Sequence, residues 1–158
     1  MINKSLITLV TQKLSERQAT ISVAESCTGG LLSSLLSQNS GSSNFFLGGV
    51  VSYANSAKED VLKVKKNSIL KFGAVSEIVA QEMAHGVRRL FFTDYSLSIT
   101  GIAGPTGGTA EKPVGTVWIG YDDVSTNNSK KFFFTGDRDE IRKQSCEASL
   151  RLLLELME

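Results

Sequence analysis

Apolar positions recur along the chain with two periods, near 3.6 and near 2, and the switching between them predicts the elements. Leu6, Val10 and Leu14 fall on one face of a helix over residues 5–17. Residues 20–24 read as a short strand, 25–30 turn a corner, and 31–37 begin a second helix. Residues 45–53 are apolar with a glycine pair and read as a strand, followed by a helix over 54–64. Ser76 suits the N-cap of a helix that carries Val79, Met83, Val87 and Leu90 on one face. Three strands follow, at 95–100, 115–121 and 131–135. The stretch 122–129 between the last two is polar and turn-rich, which makes them a hairpin. Asp137 with Glu140 three residues on is a capping-box pattern. It opens a final helix with Ile141, Ala148, Leu152 and Leu156 on its buried face.

Helices between the early strands imply parallel, right-handed crossovers, and the hairpin implies an antiparallel strand late in the sheet. The expected fold is α/β: a three-layer α/β/α domain over 1–158 with a mixed, mostly parallel five-stranded sheet. Sheets of this kind bind ligands at the carboxyl ends of their parallel strands. Two such ends stand out, residues 24–30 and 100–108.

Composition narrows the function classes. A chain of 158 residues suits one domain, and 41% hydrophobic with 21% charged residues excludes a disordered or fibrous chain. Lys and Arg total 17 against 16 Asp and Glu. A net charge of +1 gives no electrostatic footprint for nucleic acid or an anionic membrane. No apolar run approaches the ~20 residues of a membrane span, and no secretory signal pattern opens the chain. Cys27 and Cys146 match no metal spacing and read as reduced thiols. A cytoplasmic location is expected, without nucleic-acid or membrane partners. A homo-oligomer is also expected, a dimer being favoured because two-fold assemblies are commonest.

The single histidine, His85, sits mid-helix and far from any nucleophile motif, so a Ser-His-Asp triad is not expected. The G-x-S-x-G elbow, zinc spacings and the P-loop are absent. The segment Ala24-Glu25-Ser26-Cys27-Thr28-Gly29-Gly30 is the most suggestive. It places a hydroxyl at a strand end beside the N–H groups of a helix N-terminus, which can hold an oxyanion or a phosphate. The same segment also reads as a Ser/Thr cap with a glycine turn. A nucleophilic Ser26 needs a base, and without a usable histidine Lys58 is the natural one, provided burial or a nearby cation lowers its pKa. Otherwise Lys58 is a solvated helix lysine. Tyr53 could relay a proton or orient that lysine. Cys27 is a rival nucleophile or, more simply, a small buried residue. The glycines from Thr100 and Gly101 to Gly108 allow close approach of backbone to a ligand. Arg138 and Arg142, four apart, share a helix face and either hold a phosphate between them or form an exposed basic pair. Lys63, Lys65 and Lys66 read as a solvated face.

Five segments together carry a resemblance: 24–30, 48–58, 73–77, 100–108 with 111–117, and 136–142. In this order they resemble the nicotinamide mononucleotide deamidases, also known as the C-terminal domain of the competence/damage-inducible protein. The resemblance runs from the first strand to the last helix. It implies hydrolysis of the carboxamide of nicotinamide mononucleotide to nicotinic acid mononucleotide and ammonia, in pyridine nucleotide recycling. It implies a metal-free Ser-Lys mechanism with Ser26 as nucleophile, Lys58 as general base and Tyr53 assisting. Thr100, Gly101, Arg138 and Arg142 would serve substrate binding. The N–H groups around Thr28, Gly29 and Gly30 would bind oxyanion or phosphate. Many members carry a further N-terminal domain with a metal-dependent nucleotide pyrophosphatase activity. No matched segment belongs to that further domain, so its activity is not carried over, and no metal or cofactor is expected. The alternative is a non-catalytic nucleotide-binding or protein-interaction module of the same fold, linked to competence and DNA damage.

Overall fold

The computed structural model describes residues 2–158. The helices are α1 (Lys4–Glu16), α2 (Leu31–Ser37), α3 (Asn55–Asp60), α4 (Lys66–Phe72), α5 (Glu77–Phe91) and α6 (Arg138–Leu156). The strands are β1 (Ile21–Glu25), β2 (Phe46–Val51), β3 (Tyr95–Gly101), β4 (Thr116–Asp122) and β5 (Asn127–Phe133). They form one sheet in the order β2-β1-β3-β4-β5. β1 pairs in parallel with β2 and β3, whereas β3 with β4 and β4 with β5 are antiparallel. Four of the five strands therefore run in one direction and β4 opposes them. Helices α1, α2 and α6 pack together on one face of the sheet, and α5 with α4 covers the other. This is the expected three-layer α/β/α arrangement with a mixed sheet.

The two faces are held differently. On the α1/α2/α6 side, Val10, Leu14, Leu32, Leu36, Leu97, Ile99 and Ile119 form a dry apolar core. On the α5 side, β3 alternates Ser96, Ser98 and Thr100 inward. Ser96 and Ser98 donate to the carbonyls of Ala84 and Ala80 at 2.6 Å each. Buried hydroxyls thus have acceptors, and small side chains bring α5 close to the sheet.

Four expectations need correction. The helix expected over 54–64 ends at Asp60, because Lys63 takes a left-handed backbone (φ 60°), and the unforeseen α4 follows. The last strand is Asn127–Phe133 rather than 131–135. Its turn is shortened by Asp123, whose carboxylate accepts the N–H groups of Ser125 and Thr126 at 2.7 Å each. On α6, Leu156 is exposed and Ala148 and Leu152 are only half-buried. The buried face instead runs through Ile141, Ser145, Cys146, Ser149, Leu150 and Leu153. The two serines can be buried because each hydroxyl bonds the carbonyl four residues back. Leu90 of α5 is likewise exposed. Among the described residues no helix is long and apolar enough to cross a membrane.

Candidate active site

The carboxyl ends of β1 and β3 lie side by side, since Glu25 pairs with Ile99. Ser26 follows directly, its N–H bonded to the carbonyl of Ile99 at 3.0 Å. On the other side of β1, the N–H of Ser52 bonds the carbonyl of Glu25 at 2.8 Å, which brings the end of β2 to the same edge. From there the chain enters α3, and Lys58 returns its side chain toward Ser26. The sheet edge thus gathers residues 26, 52, 53 and 58 from two adjacent strand ends.

Lys58 is 1% exposed. Its Nζ bonds the carbonyl of Ser52 at 2.6 Å and that of Tyr53 at 3.4 Å, and stands 3.0 Å from Ser26 Oγ. Burial pulls its pKa below the ordinary lysine value, opposed by the nearby Cys27 thiol. The Lys58 amine donates to Ser26 Oγ as to the two carbonyls; once it is neutral, two N–H groups satisfy the carbonyls and its lone pair is left for the serine hydroxyl proton. Ser26 itself is half-buried and open to a cleft of about 270 Å³.

The cleft is lined by Ser26, Cys27, Tyr53, Lys58, Thr100, Gly101 and Arg138, together with Asn55 and Thr106. Cys27 is buried, and burial pushes its thiol up to about 11. A thiol so held is a poor nucleophile at neutral pH. Thr100 is buried and donates to the carbonyl of Ala74 at 2.8 Å, which fixes one wall. Arg138 crosses the opening. Its guanidinium donates to the carbonyl of Gly104 at 2.8 Å and to the Tyr53 hydroxyl at 2.9 Å. Tyr53 therefore orients Lys58 through its main-chain carbonyl, while its hydroxyl holds Arg138.

Other expected residues lie elsewhere. The N-terminus of α2 is already occupied by the protein's own carboxylate: buried Glu25 accepts from Gly30 N–H (3.2 Å), Leu32 N–H (3.0 Å), Ser33 N–H (2.8 Å) and the Ser33 hydroxyl (2.7 Å). The N–H of Gly29 is taken by the carbonyl of Ser26 at 3.1 Å. Gly29 and Gly30 have φ of 57° and 99°, conformations that permit this tight corner. Their contribution is to shape the corner rather than to offer N–H donors to an anion. Thr28 does not line the cleft, and its buried Oγ1 meets no partner among the described residues. Arg142 donates to the carbonyl of Thr28 at 2.8 Å and braces the corner. Arg138 is turned instead to Gly104 and Tyr53, so the two guanidiniums have different partners. His85 is half exposed and faces Asp122, away from the cleft. The sequence reading missed Glu25. Its signal was an acidic side chain at a strand end, one short turn before a helix whose N-cap, Gly30, has no side chain to cap it.

A family model described as CinA, the CinA C-terminal domain, matches residues 3–157. The chain belongs to this family. It is 52% identical over 137 residues to a CinA-like protein of Salinibacter ruber, covering 87% of this chain and 33% of that protein. It is 46% identical over 154 residues to a CinA-like protein of Petrotoga mobilis, covering 98% of this chain and 38% of that one. The chain thus spans about a third of the length of the curated relatives it matches. Among solved structures, the competence/damage inducible protein CihA of Agrobacterium tumefaciens superposes with a TM-score of 0.95 at 35% identity, covering 98% of this chain and 95% of that chain. A CinA superfamily protein of Klebsiella pneumoniae superposes with a TM-score of 0.94 at 34% identity, over 98% and 96% of the two chains.

Proposed function

We propose that this protein hydrolyses the carboxamide of nicotinamide mononucleotide, giving nicotinic acid mononucleotide and ammonia. The supporting observation is the buried Lys58 amine 3.0 Å from Ser26 Oγ, at the mouth of a cleft crossed by an arginine.

In this reading Lys58 takes the Ser26 proton as Oγ attacks the carboxamide carbon. The resulting ammonium then protonates the departing nitrogen, which leaves as ammonia, and an ester to Ser26 remains. Water, deprotonated by Lys58, attacks that ester. Lys58 returns the proton to Ser26 Oγ as the carboxylic acid leaves. At the corner after β1, the N–H of Cys27 is the one left for an oxyanion, since those of Gly29 and Gly30 are bonded internally and Thr28 does not line the cleft. Arg138, fixed by Gly104 and Tyr53, has guanidinium donors for the substrate phosphate.

The test is ammonia release from nicotinamide mononucleotide by the purified protein in the presence of a chelator. Release that survives chelation and disappears in Ser26→Ala supports the Ser-Lys mechanism. Absence of release from a folded protein sinks the amidohydrolase reading and favours a binding module.

A further inference from the structure

A second concavity, of about 820 Å³, lies outside the cleft, between α5 and the segment 61–65 that follows α3. Its shape depends on a close approach of backbones. A Cβ on Gly86 of α5 would stand 1.9 Å from the carbonyl oxygen of Leu62, so only glycine admits this segment against the helix. The floor is apolar, with Val61 and Leu90 exposed at 42% and 46% and Ile78 beside them.

The rim is basic. Lys63, Lys65 and Arg89 line the groove, and none forms an ion pair among the described residues. Lys63 is held in a left-handed backbone (φ 60°), a costly state for a residue with a Cβ and one that clusters at ligand clamps. Glu82 is the acid in the lining. Its carboxylate is turned to the chain's own donors, the N–H of Lys65 and the hydroxyl of Ser68, both at 2.8 Å. The Lys63 ammonium rests on the carbonyl of Asp60 at 2.6 Å, which holds the charge at the rim without neutralising it. An apolar floor rimmed by cations without a carboxylate partner complements a ligand that has a flat apolar body and a polyanionic tail. The volume falls within the roughly 300–1,000 Å³ of small-molecule sites.

We infer that this groove is a second ligand site, for a nucleoside phosphate whose base rests on Val61, Ile78 and Leu90 and whose phosphates meet Lys63, Lys65 and Arg89. The site is separate from the cleft but joined to it through α3. The N–H of Val64 bonds the carbonyl of Lys58 at 3.1 Å, so one short segment carries both the cleft lysine and the groove wall.

The experiment is calorimetric titration of the intact chain with ADP, and separately with inorganic pyrophosphate, which lacks the base. ADP binds the parent protein, and Lys63→Ala with Arg89→Ala weakens it at least about tenfold, the loss expected for one charge-assisted contact or more. Arg138→Ala, at the cleft, leaves ADP affinity within about twofold, and pyrophosphate binds at least about tenfold more weakly than ADP. The exposed single variants Lys63→Met and Arg89→Gln give the same reading should the double variant fail to fold. The inference is overturned if millimolar ADP gives no binding, if Arg138→Ala and not the groove variants removes it, or if pyrophosphate binds as tightly as ADP.

Discussion

Glu25 and Lys58 flank Ser26 in space, and both are buried, at 0% and 1% exposure. Their surroundings differ in kind. Glu25 receives three main-chain N–H groups and a hydroxyl, so its charge is answered by donors that point at it. Lys58 meets two carbonyls and a hydroxyl, all neutral, and no carboxylate. Glu25 is held as an acceptor by donors aimed at it, whereas burial without a counter-charge lowers the pKa of Lys58. One buried side chain is therefore a structural cap, and in the proposed mechanism the other is the amine that takes the serine proton. Two residues of opposite sign, one next to Ser26 in sequence and the other 3.0 Å from its Oγ, meet different sets of hydrogen-bond partners.

The sharpest test of this contrast is catalytic. Ser26→Ala and Lys58→Ala each lower kcat/KM for nicotinamide mononucleotide by roughly 10³-fold or more, with unchanged circular dichroism. A variant that keeps even a tenth of the parent rate contradicts the assignment. Next in size is the effect on stability of removing the cap. Glu25→Ala leaves three N–H groups and the Ser33 hydroxyl without their acceptor and destabilises the fold by about 3 kcal/mol in urea unfolding. A loss below about 1 kcal/mol would show that water replaces the carboxylate.

Lys58→Met probes the other charge. The folded pKa of Lys58 lies below the unfolded value, so at low pH both states are protonated and the burial cost is fully present. Between the two pKa values the unfolded chain holds the extra proton, and stability rises with pH. Lys58→Met abolishes that rise and stabilises the protein at neutral pH by about 1 kcal/mol. The kcat/KM profile of the parent shows the same titration: it climbs with pH and levels off short of the ordinary lysine value of 10.5. A profile still climbing beyond 10.5 would mean that the lysine is not perturbed. The smallest effect concerns Cys27. With its thiol pushed up to about 11, only a trace is thiolate at neutral pH. Iodoacetamide at that pH leaves activity within about twofold, and rapid inactivation would reopen Cys27 as the nucleophile.

The elements with strong local signals were legible. The Asp137–Glu140 capping box forms as expected, as does the Ser76 cap of α5. The strand ends at 24–30 and 100–108 do border one cleft. Weak periodicity misled where small residues replaced large ones. On α6 the leucines drew attention, yet Ser145 and Ser149 are buried because their hydroxyls bond within the helix. Break points such as Lys63 carry no residue signal, since a left-handed lysine is imposed by packing and not by preference.

By itself the sequence determined the α/β class, the order of the main elements and the presence of a serine and a lysine near strand ends. Those properties follow from periodicity, caps and short-range connectivity. Tertiary structure alone decided which charges are buried and what answers them. Arg138 and Arg142 share a helix face, yet one reaches Tyr53 and Gly104 and the other Thr28. Glu25 fills the helix end that the sequence offered to a ligand. Such outcomes depend on donors and acceptors brought from distant parts of the chain, and a long polar side chain goes wherever folding has placed its partner.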